Sequence, residues 1–361
     1  MLGLGFGARA TGPYRKRVGC VNVTRSPEGP IFKKIEKIPQ PQKVWGWEIA
    51  LDLYLAGTGA GAYCVGLLLD WKWNLTLFVD VLGHPLNLGK AALLWGPIFV
   101  AMSTPFLIVD LGIKRRFLYA CLNPKTSWVA RGFLILSTFL ILGLLVLGAS
   151  VFFPETFGNH PVLWRFLKAL SLLFAILTTL YTGILLKSVR YVPLWNTFLL
   201  PILFVTSAFL TGTAGIILAM AGSSVVFSSA KGPVHGASRV IPLVWGLIII
   251  EGLLLVKHLH RTSQHRGEGM ISVRLLLSGK LKVLFWGGIV FLGFFLPIVL
   301  QLIYFGSHTN PPWILTLTGI SLLVSGFFLR WGVLASGVKE KHPMEKLLEI
   351  RANLNAPKFH G

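Results

Sequence analysis

The sequence predicts an all-α integral membrane protein with eight transmembrane helices. Three observations carry that reading. The 361 residues are 54% hydrophobic and only 13% charged, with a mean hydropathy of +0.70, which is too apolar for an ordinary soluble domain. Eight windows each offer the ~20 mostly apolar residues that a helix needs to cross the hydrocarbon core. The connections between them are short and marked by turn residues, so none is long enough to house a catalytic domain.

The first 44 residues form a basic tail with Arg15-Lys16-Arg17 and no apolar stretch of leader length, which predicts that insertion begins at the first helix. The windows then follow at about 45–69, 89–112, 127–152, 162–187, 192–221, 240–260, 281–306 and 312–337. The first holds Ala56-Gly57-Thr58-Gly59-Ala60-Gly61-Ala62, a small-residue run with a Gly-x-x-x-Gly pair that lets helix backbones approach closely. Its setting inside a span excludes a phosphate-binding loop. His84-Pro85, Asn123-Pro124, Asn159-His160-Pro161 and Asn310-Pro311-Pro312 punctuate the connections, and a second basic tail occupies 338–361.

An even number of spans puts both termini on one face, here called side A. The chain carries 34 Lys and Arg against 13 Asp and Glu, a formal net charge of +21. Such a balance suggests nucleic acid only until the bases are located, because they sit between apolar segments. All of them fall on side A except Lys72, Lys90, Arg165, Lys168, Lys231 and Arg239. The positive-inside rule then predicts cytoplasmic N- and C-termini in a cell inner or plasma membrane.

Ionisable side chains inside a bilayer cost roughly 2.5–3.5 kcal/mol at mid-depth, so each demands a reason. Glu48 and Asp52 lie one and two turns into the first helix from side A, and their i, i+4 spacing puts them on one face. Two carboxylates so close disfavour double ionisation and suit a proton acceptor beside a redox ligand; the alternative is pairing with headgroup-level bases. Asp110 ends the second span just before Lys114-Arg115-Arg116, where it joins the same level or makes a membrane-edge ion pair. Tyr181, late in the fourth span, returns to the depth of Asp52, where a phenol donates to a carbonyl oxygen or joins an interfacial belt. Glu251 stands alone near the middle of the sixth span, as a proton relay or a pin between helices. Arg330 and Trp331, near the side-A end of the last span, are expected to snorkel and anchor.

Several redox chemistries are absent from the protein's own motifs. The nine histidines (His84, His160, His235, His258, His260, His265, His308, His342 and His360) fall in connections, helix ends and tails, which argues against bis-His haem ligation. Cys20, Cys64 and Cys121 are too few and too scattered for an iron–sulfur centre, a zinc site or a disulfide framework. There is no Walker motif and no dinucleotide fingerprint. Electrons moved by this protein therefore need a mobile ligand and another subunit.

Trp45-Gly46-Trp47-Glu48 leading into Leu53-Tyr54-Leu55-Ala56-Gly57-Thr58-Gly59-Ala60-Gly61-Ala62, then Val109-Asp110-Leu111-Gly112 with Arg116-Phe117, then Tyr181-Thr182-Gly183 and Pro193-Leu194-Trp195-Asn196, resemble the NrfD/polysulfide-reductase membrane-subunit family. The likeness spans roughly 45–337 and is strongest over the first five helices. It implies eight helices in two four-helix bundles, without haem, that bind a quinone (menaquinone or ubiquinone) in one bundle. It further implies a ferredoxin-like iron–sulfur subunit as neighbour, linked to a molybdopterin or tungstopterin catalytic subunit. By the family pattern, the head group would lie among Glu48, Asp52 and Tyr181, with Asp110 at the same level and Glu251 on a proton path. Such sites often carry a His in the first helix, where this protein has acids. The rival reading is a secondary transporter using Glu251 in a proton- or ion-coupled site. The two halves show no evident internal repeat, and the clustered acids lie near one surface instead of the midplane.

Overall fold

Long apolar segments leave the backbone no partner but itself, and the protein answers with helices. The computed structural model describes residues 45–73, 79–81, 84–86, 88–110, 127–153, 160–226, 232–264, 267–307 and 311–340. In sequence order these give α1 (Trp47–Trp73), a small antiparallel pair β1 (Val79–Val81) and β2 (His84–Leu86), then α2 (Leu88–Asp110) and α3 (Trp128–Phe152). There follow α4 (Pro161–Lys187), α5 (Leu199–Val226), α6 (Gly232–Gln264), the short α7 (Glu268–Leu277), α8 (Leu284–Gly306) and α9 (Pro312–Ala335). Seven of these helices are long and apolar enough to cross a membrane, and α2 adds a shorter apolar stretch at Ala92–Phe106. The molecule is thus an all-α multi-pass membrane protein. The basic tail 1–44, the 113–126 connection with Lys114-Arg115-Arg116 and residues 341–361 lie outside the described residues.

The helix ends follow local chemistry. Ser127 adopts an extended conformation and its hydroxyl accepts the Ala130 N–H at 3.3 Å, capping α3. Pro161 and Pro312 start α4 and α9, where a missing N–H costs nothing. The fifth helix begins at Leu199 instead of 192, because residues 192–198 close tight turns after Pro193, with the Trp195 and Asn196 N–H groups both donating to Val192 O. Residues 284–295 of α8 are wound in wide i→i+5 turns that run up to Pro297, and Leu296 N–H reaches Phe291 O. In α geometry the proline ring would conflict with the carbonyl of Gly293, four residues back.

Apart from the short α7, the helices form two groups of four. Helix α1 packs on α2 and α4, with α3 closing that group against α2 and α4; α5 packs on α6 and α9, with α8 against α9. Helix α1 also touches α5 and α9, so it belongs to both groups, and 83% of its apolar window is buried against 28% for α3. At roughly 100° per residue, Gly57, Thr58 and Gly61 share one face of α1 while Asp52, Gly59 and Tyr63 share the opposite one. On the first face a Cβ at Gly61 would run into the Ala208 backbone, and Thr58 Oγ1 donates to Thr211 Oγ1 at 2.9 Å. On the second, Gly59 lies against Gly96 and Tyr63 Oη donates to Ser171 Oγ at 2.9 Å. The small-residue run thus serves two interfaces at once.

One end of the molecule is tied together by polar contacts between segments far apart in sequence. Trp195 Nε1 donates to Val333 O at 2.8 Å, Glu340 N–H to Tyr191 O at 2.8 Å, and Val338 N–H to Ser272 Oγ at 3.1 Å. Trp45 stacks on Trp195 with centroids 5.3 Å apart. The start of α1, the α4–α5 and α6–α8 connections and the end of α9 therefore share side A. Close approach of α1 to α5 makes a specific demand on Gly61: Gly61→Leu should cost at least about 2 kcal/mol through overpacking. Gly215→Ala, where a Cβ meets nothing within 4 Å, should leave stability unchanged or raise it by up to about 1 kcal/mol. Thermal unfolding of the detergent-purified variants checks both.

Candidate functional site

Helix α1 carries Glu48 and Asp52 one turn apart on the face it turns to the first group of helices. Glu48 lies in the first turn, where the helix dipole favours a carboxylate, and its side chain folds back over Gly46 in a half-buried position. Asp52 is 3% exposed. Opposite it, Tyr181 projects from α4 and is likewise 3% exposed; its phenol lies within electrostatic range of the Asp52 carboxylate. The phenol end of the Tyr181 ring rests against Gly132 of α3, where any Cβ would overlap it. Around it, Thr178, Thr179 and Thr182 turn their hydroxyls onto carbonyls of their own helix at 2.7–2.9 Å, so they leave the phenol alone. The Tyr181 hydroxyl is buried and, among the described residues, has no hydrogen-bond partner.

Such a hydroxyl is costly unless something accepts from it. The contrast with Tyr63 is direct, since that phenol is satisfied by Ser171 and its ring sits edge-on to Phe139 at 5.1 Å. The geometry thus brings Asp52 and Tyr181 together, with Glu48 one turn nearer side A. The Trp45–Trp195 stack lies beside the same end of α1. Asp110 is the last residue of α2, and its side chain lies outside the described residues.

Glu251 stands elsewhere. It is 6% exposed on α6, in the second group of helices, hydrogen-bonded to Ser207 of α5 and within electrostatic range of Arg330. Arg330 corrects the sequence expectation, for it does not snorkel: it is completely buried. Its Nη1 donates to Ser207 Oγ at 3.2 Å and to Gly326 O at 3.0 Å, and its guanidinium lies 5.6 Å from the Tyr54 ring centroid and 5.5 Å from that of Phe204. Gly57 supplies the room, since a Cβ there would sit 2.9 Å from Nη2. The two acceptors of Nη1, two aromatic faces and a nearby carboxylate stand in part for the water that the snorkelling argument assumes, while Nε and Nη2 are buried with no hydrogen-bond partner among the described residues.

His258, expected among the peripheral histidines, is fully buried, with Nδ1 3.0 Å from Thr197 Oγ1. The sequence offers one signal, since 258 is two turns after 251 on the same face, and the structure adds that α6 runs to Gln264, past the expected end at 260. Among the described residues no group of three or more His, Cys, Asp or Glu is placed to hold a metal ion. Cys64 is a buried free thiol in α1; Cys20 and Cys121 lie outside the described residues.

These features define a class, a multi-pass helical membrane protein whose first helix is enclosed and whose acids and phenol converge beneath one surface. The protein belongs to the NrfD polysulphide reductase family, whose sequence profile matches residues 37–339. It is 27% identical over 318 residues to one of the polysulfide reductase subunits of Wolinella succinogenes, covering 81% of the present sequence and 94% of that relative. It is 27% identical over 315 residues to Protein NrfD of Escherichia coli, covering 81% and 95% respectively. A Protein NrfD homolog of Haemophilus influenzae is 23% identical over 317 residues, covering 82% and 95%.

The two buried phenols predict different responses to loss of a hydroxyl. Tyr63→Phe breaks a protein hydrogen bond and should cost about 1 kcal/mol, whereas Tyr181→Phe should change stability by less than about 0.5 kcal/mol in quinone-free detergent. Parallel thermal unfolding of the two variants is the check.

Proposed function

We propose that the protein is the haem-free, quinone-binding membrane anchor subunit of a multi-subunit oxidoreductase. On this reading it serves electron exchange between the membrane quinone pool and a ferredoxin-like iron–sulfur subunit, itself linked to a molybdopterin or tungstopterin catalytic subunit. Membership of the NrfD polysulphide reductase family and the name of the Wolinella relative, a component of a reductase, support the assignment to an oxidoreductase complex. The observation that carries the quinone site is the buried Tyr181 hydroxyl, without a protein partner among the described residues, beside the buried Asp52.

The residues fit a quinone head group by chemistry. A quinone when bound supplies two-electron, two-proton redox change, with a carbonyl oxygen that accepts a hydrogen bond in one state and carries a proton in the other. Tyr181 Oη donates to that oxygen and, by its fixed seat on Gly132, orients it. Asp52 holds or releases a proton in a site closed to bulk water. Glu48, half-buried one turn nearer the surface, passes that proton between Asp52 and the side-A water. The aliphatic and aromatic lining of the first group of helices suits an isoprenoid tail. Side A is the cytoplasmic face on this reading, and the iron–sulfur subunit docks there.

The test needs no knowledge of the final substrate. In the purified complex, a short-chain quinol should reduce the partner's iron–sulfur centres, followed by loss of their visible absorbance. Tyr181→Phe and Asp52→Asn should each slow that bleaching about 10- to 100-fold with complex assembly intact. Parent rates in both variants would remove the site.

A further inference from the structure

Asp52 faces the first group of helices from a rod whose other side is gripped by the second. That grip has one charged component. Arg330 of α9 reaches across to α1, where its Nη2 occupies the space that a side chain at Gly57 would need, and its guanidinium lies over Tyr54. Gly57 is five residues from Asp52, about 7.5 Å along the axis. The guanidinium is held there by groups on two other helices and its own: Nη1 donates to Gly326 O on α9 and to Ser207 Oγ on α5, and Ser207 is in turn hydrogen-bonded to Glu251 on α6. Phe204, one turn before Ser207, covers the guanidinium from α5.

Four helices thus meet at one buried cation, and of these α1 also lines the Asp52–Tyr181 site. Neutral packing alone would join α1 to α5 through Gly57, Gly61 and Thr58. A fully desolvated Arg–Ser–Glu bridge adds charge, which a membrane protein rarely buries without a use. The bridge is also indirect, since Nη1 meets the Ser207 hydroxyl, and Nη2 is left facing Gly57 of α1 with no hydrogen-bond partner among the described residues.

We propose that Arg330 is a positioning residue for the quinone site: acting through Gly57 and Tyr54 of α1, and held by the Ser207–Glu251 bridge, it fixes the seat of Asp52 opposite Tyr181. This rests on the quinone reading above. It assigns the Glu251 cluster a role in the affinity of a site on the opposite face of α1.

The experiment is fluorescence titration of the purified complex with 2-heptyl-4-hydroxyquinoline N-oxide, a fluorescent quinol analogue, for the parent and for Arg330→Met, Arg330→Lys, Gly57→Ala and the double variant Arg330→Met/Glu251→Gln. Arg330→Met and Gly57→Ala, which displace the guanidinium by deletion and by crowding, should each raise the Kd about tenfold. Arg330→Lys, which keeps a cation, should restore it to within about threefold of the parent. The double variant removes both charges and so regains thermal stability, yet its Kd should stay raised. A merely structural ion bridge predicts instead that the double variant recovers stability and affinity together, which would overturn the proposal. Parent Kd values in Gly57→Ala and the double variant overturn it too, even where Arg330→Met fails to assemble. Asp52→Asn and Tyr181→Phe run alongside: if they bind the probe as the parent does, the quinone site itself is wrong and the positioning role falls with it. If they lose binding while the Arg330 and Gly57 variants keep it, only the positioning role fails.

Discussion

Helix α1 is covered on opposite faces by two groups of helices, and that enclosure governs what every other part can be. A span facing lipid on one side tolerates large residues there; α1 cannot, so its core is Ala56-Gly57-Thr58-Gly59-Ala60-Gly61-Ala62. Glycine contributes close approach on both faces, at Gly59 toward α2 and at Gly61 toward α5. Because Asp52, Leu53 and residues 55–67 of the helix are buried, a carboxylate can be held there with a chosen neighbour instead of drifting to the headgroups. The same enclosure makes α1 the element through which one group of helices acts on the other.

Two buried polar centres result, and they differ in kind. Asp52 and Tyr181 leave a phenolic hydroxyl unsatisfied among the described residues, which suits a ligand that comes and goes. The Arg330–Ser207–Glu251 bridge is knitted into its surroundings by hydrogen bonds on α5 and α9 and by two aromatic faces. On the proposed reading the first serves exchange and the second position, and Arg330 Nε and Nη2 are likewise buried with no hydrogen-bond partner among the described residues.

Much of this is legible in the sequence because the bilayer imposes simple arithmetic. Hydropathy locates the spans, alternation of direction puts Asp52 and Tyr181 at one level, and the family resemblance holds over 37–339. What escapes is what arithmetic along one helix cannot hold. Arg330 sits five residues from the end of α9, close enough to snorkel, and only the acceptors on α5 and the gap at Gly57 keep it inside. His258 looks peripheral in an apolar window that stops at 260, while tertiary packing carries α6 to Gln264 and buries the imidazole against Thr197. The late start of α5 reflects turn chemistry around Pro193, and α7 is an amphipathic segment too short for a hydropathy window. Even the wide turns of α8 need a neighbour, since Ser325 donates to Ile289 O within them.

The central claim is that a quinone binds between α1 and α4 near side A. Photolabelling tests it most directly: the purified complex is irradiated with an azido-quinone, digested, and the modified peptides are mapped by mass spectrometry, with excess unlabelled quinone as competitor. The account predicts competed label on α1 near Asp52 and on α4 near Tyr181. Competed label confined to α6, α8 or α9, or none on this protein while the complex still oxidises quinol, would contradict it.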